Sequence, residues 1–212
     1  MTSLSQLFTH RIIPVVVLTQ SCDADPVAEA LISGGLPIAE VTLRTPASAE
    51  AIRKMAGRGD IIVGAGTVVT ADQVDAVADA GAQFVVSPGL SEAVVRRCQE
   101  RDLPCLPGAV TPSEVIAALD LGVHVCKFFP ANTFGGPAAI KALGAPFGGV
   151  QFVPTGGVSA SNLADYLALP NVAAVGGSWM VAADLVSAGD FDEITRLTRE
   201  AVAAAGSPER TP

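Results

Sequence analysis

One arrangement recurs along the whole chain: a short apolar segment, a turn marked by glycine or proline, and an alanine-rich amphipathic segment. Eight of the apolar segments have the length and composition of strands. They are spaced by roughly 20–28 residues, the scale of one strand-plus-helix unit. The predicted strands begin near Ile13, Ile38, Ile61, Gln83, Cys105, Val123, Gln151 and Val172. This alternation predicts an α/β fold with a parallel sheet.

Helix-start signals lie between the predicted strands. Asp25-Pro26, Thr45-Pro46 and Thr111-Pro112 each place a capping side chain before a proline, a combination typical of a first helical turn. Residues 2–10 are expected to form an extra leading helix, and residues 207–212 a frayed C-terminal tail.

Eight strand-plus-helix units predict a single-domain (β/α)8 TIM barrel over residues 1–206, with its site at the carboxyl ends of the strands. The alternative is a doubly wound open sheet. Its dinucleotide-binding form requires G-x-G-x-x-G, whereas Gly64-Ala-Gly66-Thr67 continues into valines without a third glycine. The pattern therefore favours the barrel. Half of the 212 residues are hydrophobic, which is enough for a sizeable core.

Charge and cysteine usage exclude several classes of protein. The net charge is −8 without any basic run, which argues against nucleic-acid binding and against a polybasic membrane anchor. The apolar run from Ile12 to Leu18 is shorter than the ~20 residues that a membrane helix needs. Four cysteines without a CxxC pair, and only two histidines, give no zinc-type spacing. We expect a soluble cytoplasmic protein with reduced, mostly packing thiols.

The apolar segment from Val123 to Pro130 contains one lysine, Lys127. Because side chains alternate along a strand, Lys127 shares its face with Val125 and Phe129. Desolvation there favours the neutral amine, which can attack a ketone and form an imine. The other interpretation is a lysine paired with a carboxylate at the mouth of the sheet, and this segment alone leaves both open.

The second predicted strand carries polar residues at alternate positions, Glu40, Thr42 and Arg44. These side chains are expected to face the barrel interior, while Ala39 and Val41 meet the helices. Glu40 and Arg44 could form a structural ion pair. Alternatively, imine chemistry on a 2-keto acid needs a proton-transferring group and a fixed cation for the substrate carboxylate, and these roles suit Glu40 and Arg44.

Glycine-rich turns follow the later predicted strands. Thr155-Gly156-Gly157 follows the seventh strand and Gly176-Gly177-Ser178 the eighth, where many barrels bind phosphate through backbone N–H groups. Gly64-Ala-Gly66-Thr67 and Ser87-Pro88-Gly89 end the third and fourth, where a hydroxyl and a closely approaching backbone could contact substrate. Each glycine could also serve only to form a tight turn.

Six motifs in this order resemble the family of 2-keto-3-deoxy-6-phosphogluconate (KDPG) aldolases, and the resemblance covers nearly the whole chain. The family implies a class I, metal-independent aldolase without a cofactor, on a (β/α)8 barrel that assembles as a homotrimer. The motifs are Glu40-Val-Thr-Leu-Arg44, Gly64-Ala-Gly-Thr67, Ser87-Pro-Gly-Leu90, Lys127-Phe-Phe-Pro130, Pro154-Thr-Gly-Gly157 and Gly176-Gly-Ser-Trp179.

The resemblance also implies roles for individual residues. Lys127 would form the Schiff base and Glu40 would transfer the protons. Thr155 would face the aldehyde end of the substrate and influence stereochemistry. The pyruvate half would be bound by Arg44 and Thr67 at its carboxylate and lined by Pro88 and Phe129. The phosphate half would be bound by Gly156, Gly157, Gly177 and Ser178.

The implied reaction is the reversible cleavage of 2-keto-3-deoxy-6-phosphogluconate into pyruvate and glyceraldehyde 3-phosphate, with 4-hydroxy-2-oxoglutarate as a possible second substrate. Two other classes compete with it. A sugar-phosphate epimerase or isomerase shares the phosphate-binding turns but has no use for Lys127 beside Phe129. A non-catalytic barrel that binds a sugar phosphate leaves Glu40, Arg44 and Lys127 unexplained.

Overall fold

Eight short strands, all paired in parallel, form the centre of the protein. The computed structural model describes residues 3–206. All eight predicted strands are present, and the largest offset is that of the last strand, which begins at Val175 rather than near Val172. The strands are β1 (Ile12–Val16), β2 (Ile38–Thr42), β3 (Ile62–Gly66), β4 (Phe84–Val86), β5 (Cys105–Leu106), β6 (Val125–Phe128), β7 (Gln151–Pro154) and β8 (Val175–Gly177).

The strands are ordered as β5-β4-β3-β2-β1-β8 in a six-stranded sheet, while β6 and β7 form a pair of their own. Isolated parallel bridges link the pair to both edges of the larger sheet: Gly108 with Lys127 on one side, and Phe152 with Val172 and Thr155 with Gly176 on the other. The larger sheet is a half-barrel of parallel strands. Neighbours from β5 to β1 follow the chain order and β8 lies beside β1, so the strand order of the doubly wound dinucleotide fold is absent from the described residues.

Ten α-helices connect and cover the strands of the described chain. They are α1 (Leu4–Leu7), α2 (Ala24–Ser33), α3 (Ser48–Arg58), α4 (Ala71–Asp79), α5 (Glu92–Glu100), α6 (Pro112–Asp120), α7 (Gly136–Gly144), α8 (Leu163–Leu167), α9 (Ala183–Ala188) and α10 (Phe191–Ala205). None of these helices within residues 3–206 is long and apolar enough to cross a bilayer.

The helix starts differ in part from the sequence prediction. The Thr111 hydroxyl caps α6 in a reciprocal capping box, as predicted. Asp25-Pro26 instead lies inside the first turn of α2, because a short 3₁₀ turn leads directly into that helix. The Thr45 hydroxyl donates a hydrogen bond to the carbonyl oxygen of Leu18, which ties the turn after β2 to the chain after β1, and α3 begins only at Ser48.

The leading helix is also shorter than predicted. The leading helix spans only Leu4–Leu7, because the chain turns at Phe8 toward β1, where Ile12 pairs with Val175. The predicted frayed tail, residues 207–212, lies outside the described residues.

A continuous hydrophobic cluster runs from the strands into the helices, so residues 3–206 form a single α/β domain. Every residue of β1, β2, β4 and β6 is buried, as expected for parallel strands covered on both faces. Two of the four free cysteines, Cys98 and Cys126, belong to this core. Burial raises the pKa of the Cys126 thiol to about 12. Cys105 packs against this core from a partly buried position, and only Cys22 among the four is exposed, in agreement with the prediction of mostly packing thiols.

Candidate active site

Lys127 and Glu40 meet as a buried ion pair between the two sheets. The Nζ atom of Lys127, on β6, donates a hydrogen bond of 3.1 Å to Oε1 of Glu40, on β2. The two residues are 3% and 2% exposed. The interpretation of Lys127 as a lysine paired with a carboxylate is therefore confirmed. It is compatible with a nucleophilic role, because an amine next to a carboxylate can lose its proton to that carboxylate.

The aromatic ring of Phe129 closes one side of this pair. Its centroid lies 5.1 Å from Nζ of Lys127, within the range of a cation–π contact. Phe129 is half-buried and so borders the space above the amine. The surroundings of the pair are of low polarity, so the charge of Lys127 has few polar partners other than the carboxylate of Glu40.

Arg44 and Thr67 lie together at the adjoining ends of β2 and β3. Nε of Arg44 donates to the Thr67 hydroxyl oxygen at 3.2 Å. Within residues 3–206 no carboxylate lies within ion-pair distance of Arg44, so the alternative of a Glu40–Arg44 ion pair is wrong. The guanidinium is exposed, and its charge is available to an anion. Thr67 has a positive φ of 62°, an unusual conformation for a residue with a side chain, and one that is common at functional sites.

Pro88 reaches the site through the loop after β4. Gly108 pairs with Lys127 through a parallel bridge. A Cβ atom on Gly108 would lie 2.2 Å from the carbonyl oxygen of Pro88, so the missing side chain lets the two loops approach. The sequence interpretation did not single out Gly108. Its only signal is a glycine after proline at the end of the fifth predicted strand.

The turn after β7 contains two left-handed glycines, the first of which lies beside Phe129. Gly156 and Gly157 have φ values of 92° and 81°, which L residues rarely adopt. A Cβ atom on Gly156 would lie 3.2 Å from the ring of Phe129. The N–H group of Gly156 faces the carbonyl oxygen of Gly176 in the bridge between β7 and β8, whereas that of Gly157 donates no hydrogen bond to any of residues 3–206. An unpaired N–H group of this kind is suited to an anionic ligand.

The end of β8 adjoins the turn after β7. Thr155 and Gly176 form a parallel bridge, and a Cβ atom on Gly176 would lie 2.3 Å from the hydroxyl oxygen of Thr155. Gly177 is buried against the ring of Trp179, whereas Ser178 is exposed. Gly176 and Gly177 lie within β8 and not, as predicted, in a turn after it, because both pair in register with β1, and only Ser178 follows the strand. The end of β8 and the turn after β7 nevertheless lie side by side.

A buried amine held against a carboxylate can form an imine on a ketone and move the protons that follow. Together with the strand-end location, this defines an imine-forming enzyme on an α/β scaffold. The family model described as KDPG and KHG aldolase matches residues 4–197. The chain belongs to this aldolase family, as the sequence motifs indicated.

Individual relatives and solved structures support this assignment. The chain is 48% identical to 2-dehydro-3-deoxy-phosphogluconate aldolase of Dickeya dadantii, over 96% of this chain and 97% of that protein. A crystal structure of KDPG aldolase from Legionella pneumophila, with pyruvate captured as a covalent carbinolamine intermediate, has a TM-score of 0.91 and 40% identity over 93% of this chain and 97% of that one. The KDPG aldolase of Zymomonas mobilis with 3-phosphoglycerate has a TM-score of 0.88 and 40% identity, over 94% and 95% of the two chains.

Proposed function

We propose that this protein is a class I aldolase that reversibly cleaves 2-keto-3-deoxy-6-phosphogluconate into pyruvate and glyceraldehyde 3-phosphate. The observation that carries the proposal is the buried contact of 3.1 Å between Lys127 and Glu40. Membership of the family, and the covalent pyruvate intermediate in the Legionella relative, support the same chemistry.

Lys127 is the nucleophile in this proposal. Its amine attacks the C2 carbonyl carbon of the substrate to give a carbinolamine, which loses water to form a protonated imine. The imine then accepts the electron pair of the C3–C4 bond as that bond breaks, which gives an enamine. Hydrolysis of the re-protonated imine releases pyruvate and restores the amine.

Glu40 transfers the protons. As the C3–C4 bond breaks, its carboxylate helps to remove the proton from the C4 hydroxyl, and the aldehyde forms. The same group then protonates C3 of the enamine. Its hydrogen bond to the Lys127 amine supports this role, because one carboxylate then lies beside the nitrogen on which the imine forms.

The pyruvate half is held between the ends of β2, β3, β4 and β6. Arg44 and Thr67 bind the substrate carboxylate, supported by their mutual hydrogen bond and by the unpaired guanidinium. Pro88 and Phe129 line the pocket, and the ring of Phe129 close to Lys127 supports that assignment.

The phosphate half is held at the turn after β7 and the end of β8, with Thr155 facing the aldehyde end and influencing stereochemistry. The free N–H group of Gly157 and the exposed hydroxyl of Ser178 support an anion site. The residues proposed to bind phosphate are Gly156, Gly157, Gly177 and Ser178.

The proposal extends to a second substrate and to the assembly. The family covers KHG aldolases, which supports some cleavage of 4-hydroxy-2-oxoglutarate to pyruvate and glyoxylate. We infer that the eight strands close into a complete (β/α)8 barrel, supported by the bridges at both edges of the β6-β7 pair. A cytoplasmic homotrimer whose partners are small-molecule substrates completes the proposal, and sedimentation velocity would measure the oligomer.

Borohydride reduction in the presence of pyruvate tests the function. An imine on Lys127 becomes a stable amine, so the protein should gain one pyruvate-derived mass, and peptide mapping should locate it at Lys127. The chain has only two other lysines, Lys54 and Lys141, and Lys141→Arg is the control that should still be labelled. An epimerase, an isomerase or a non-catalytic barrel gives no adduct. A label on Lys54 or Lys141 instead of Lys127 would refute the mechanism.

A further inference from the structure

Strand β3 has glycine at two successive positions of the same face, Gly64 and Gly66. Sequence alone suggested a tight turn, but both residues lie within the strand and pair in register with β2, Gly64 with Glu40 and Gly66 with Thr42. The φ of neither glycine lies in the left-handed region, so backbone conformation does not require glycine at these positions. A glycine inside a strand also marks a close approach by another group.

The group that approaches Gly66 is the Glu40 side chain. A Cβ atom on Gly66 would lie 2.2 Å from Oε1 of Glu40, 2.8 Å from its Cγ and 2.9 Å from its Cδ. All three nearest atoms belong to that one residue. The carboxylate that contacts Lys127 therefore occupies the space that Gly66 leaves empty.

Gly64 shows the same geometry with a different neighbour. A Cβ atom there would lie 2.3 Å from two atoms of the Phe84 ring, which is fully buried. The two glycines lie on one strand and are both buried, but one makes room for a core side chain and the other for the proton-transferring carboxylate. Gly64 is consequently a matched control for Gly66.

We propose that Gly66 is a positioning residue: the absence of its side chain fixes Oε1 of Glu40 within hydrogen-bonding distance of Lys127. A methyl group at this position has to push Oε1 away by about 1 Å or more to reach ordinary contact, which breaks the hydrogen bond to Nζ. A displacement of about 1 Å is sufficient to cost about 10²-fold in rate. The kinetic consequence rests on the proposed role of Glu40, whereas the steric consequence does not.

The kinetic test uses exchange of pyruvate methyl protons with deuterated water, followed by NMR. Gly66→Ala should still give the borohydride-trapped adduct at Lys127, while exchange falls by about 10²-fold. Adding Gly66→Ala to Glu40→Gln should cause no further loss, because both changes remove the same group from its place. Near-normal exchange in Gly66→Ala, or losses that multiply in the double variant, would overturn the proposal.

The steric test compares thermal unfolding in two backgrounds. Gly66→Ala should lower the Tm of the otherwise unaltered protein by about 5 °C or more, and should lower it far less in a Glu40→Ala background, where the clashing atoms are gone. Gly64→Ala should cost the same in both backgrounds, because Phe84 is unchanged. An equal loss from Gly66→Ala in both backgrounds contradicts the proposal.

The test remains decisive if Gly66→Ala alone fails to fold. Glu40→Ala/Gly66→Ala should then fold about as well as Glu40→Ala, and its failure to fold would refute the steric argument. If the unaltered protein gives no adduct at Lys127, the proposed function is refuted, while the steric coupling between Gly66 and Glu40 still stands. The two proposals can thus fail separately.

Discussion

Two groups of charged side chains in this protein differ in their burial and in the number of their hydrogen bonds. Lys127 and Glu40 form a single hydrogen bond of 3.1 Å with side chains that are 4% and 3% exposed. Between α4 and α5, Asp75 accepts from Nη2 of Arg97 at 2.7 Å and from Nη1 of Arg101 at 2.9 Å, and these side chains are 29–39% exposed. The better-bonded group is thus the one on the surface.

The two groups differ in what their burial costs, and this difference supports the chemical role that we propose for Lys127 and Glu40. Water screens the surface cluster, so its ion pairs add little and cost little to assemble. Burial of Lys127 and Glu40 removes the hydration of both charges, and one hydrogen bond replaces it only partly. An apolar pair of similar volume would fill the same space without that cost, so the burial of this pair supports the reactivity that we propose for an amine beside a carboxylate.

Removing the amine should have the largest effect. Lys127→Arg keeps a positive charge next to Glu40, but a guanidinium does not lose its proton and cannot form the imine. We expect a folded protein by circular dichroism, with no pyruvate adduct after borohydride and no detectable cleavage. The control Lys141→Arg should retain both. Cleavage activity in Lys127→Arg would rule out Lys127 as the nucleophile.

Removing the carboxylate should separate imine formation from proton transfer. Glu40→Gln keeps the shape of the side chain and removes the base, which typically contributes about 10²–10⁴-fold. The variant should still form the trapped pyruvate adduct, while methyl exchange and aldol cleavage both fall by about two orders of magnitude or more. A loss of stability or pyruvate affinity with near-normal exchange at saturating pyruvate would mean that Glu40 only balances the charge of Lys127.

A change at the far end of the substrate should have an intermediate effect that depends on phosphate. Ser178→Ala removes one hydrogen bond to a charged group, worth roughly 1.5–3 kcal/mol. For the phosphorylated substrate, we expect kcat/KM to fall by the factor that corresponds to this loss of transition-state binding free energy. For 4-hydroxy-2-oxoglutarate, which has no phosphate, kcat/KM should stay nearly constant. Equal losses for the two substrates would move the phosphate site away from the turn after β8.

The smallest effect is expected in the surface cluster. Hydrogen bonds from Arg97, and then from Arg101, hold the pKa of Asp75 below its usual 3.8. A carboxyl group whose pKa is lower in the folded than in the unfolded state stabilises the fold above pH 3.8, and this contribution is lost as the pH falls through the folded-state pKa. Asp75→Asn should therefore lower Tm slightly at pH 7, with unchanged kcat, and the difference from the unaltered protein should shrink below pH 3.8. A constant difference down to pH 2 would exclude the ionised carboxylate as its source.

The sequence by itself determined the order of the strands along the chain and singled out the lysine that we propose as the nucleophile. Strand and helix signals are local, because hydrophobic periodicity, capping residues and glycine turns act over a few neighbouring residues. The eight strands and the cap at Thr111 could be found for that reason. The predicted helix start at Thr45 was wrong because its hydroxyl donates to the carbonyl oxygen of Leu18, a tertiary contact, instead of capping a helix.

Only the tertiary structure decided which side chains meet. Glu40 and Lys127 are 87 residues apart and lie in different sheets. No spacing in the sequence therefore indicated that Glu40 would pair with Lys127 and not with Arg44. The same holds for Gly66, whose reason for being glycine is the space that a side chain from another strand occupies. Periodicity specifies the face on which a residue lies, whereas distances across a sheet depend on how the strands pack, and the chemistry of this site depends on those distances.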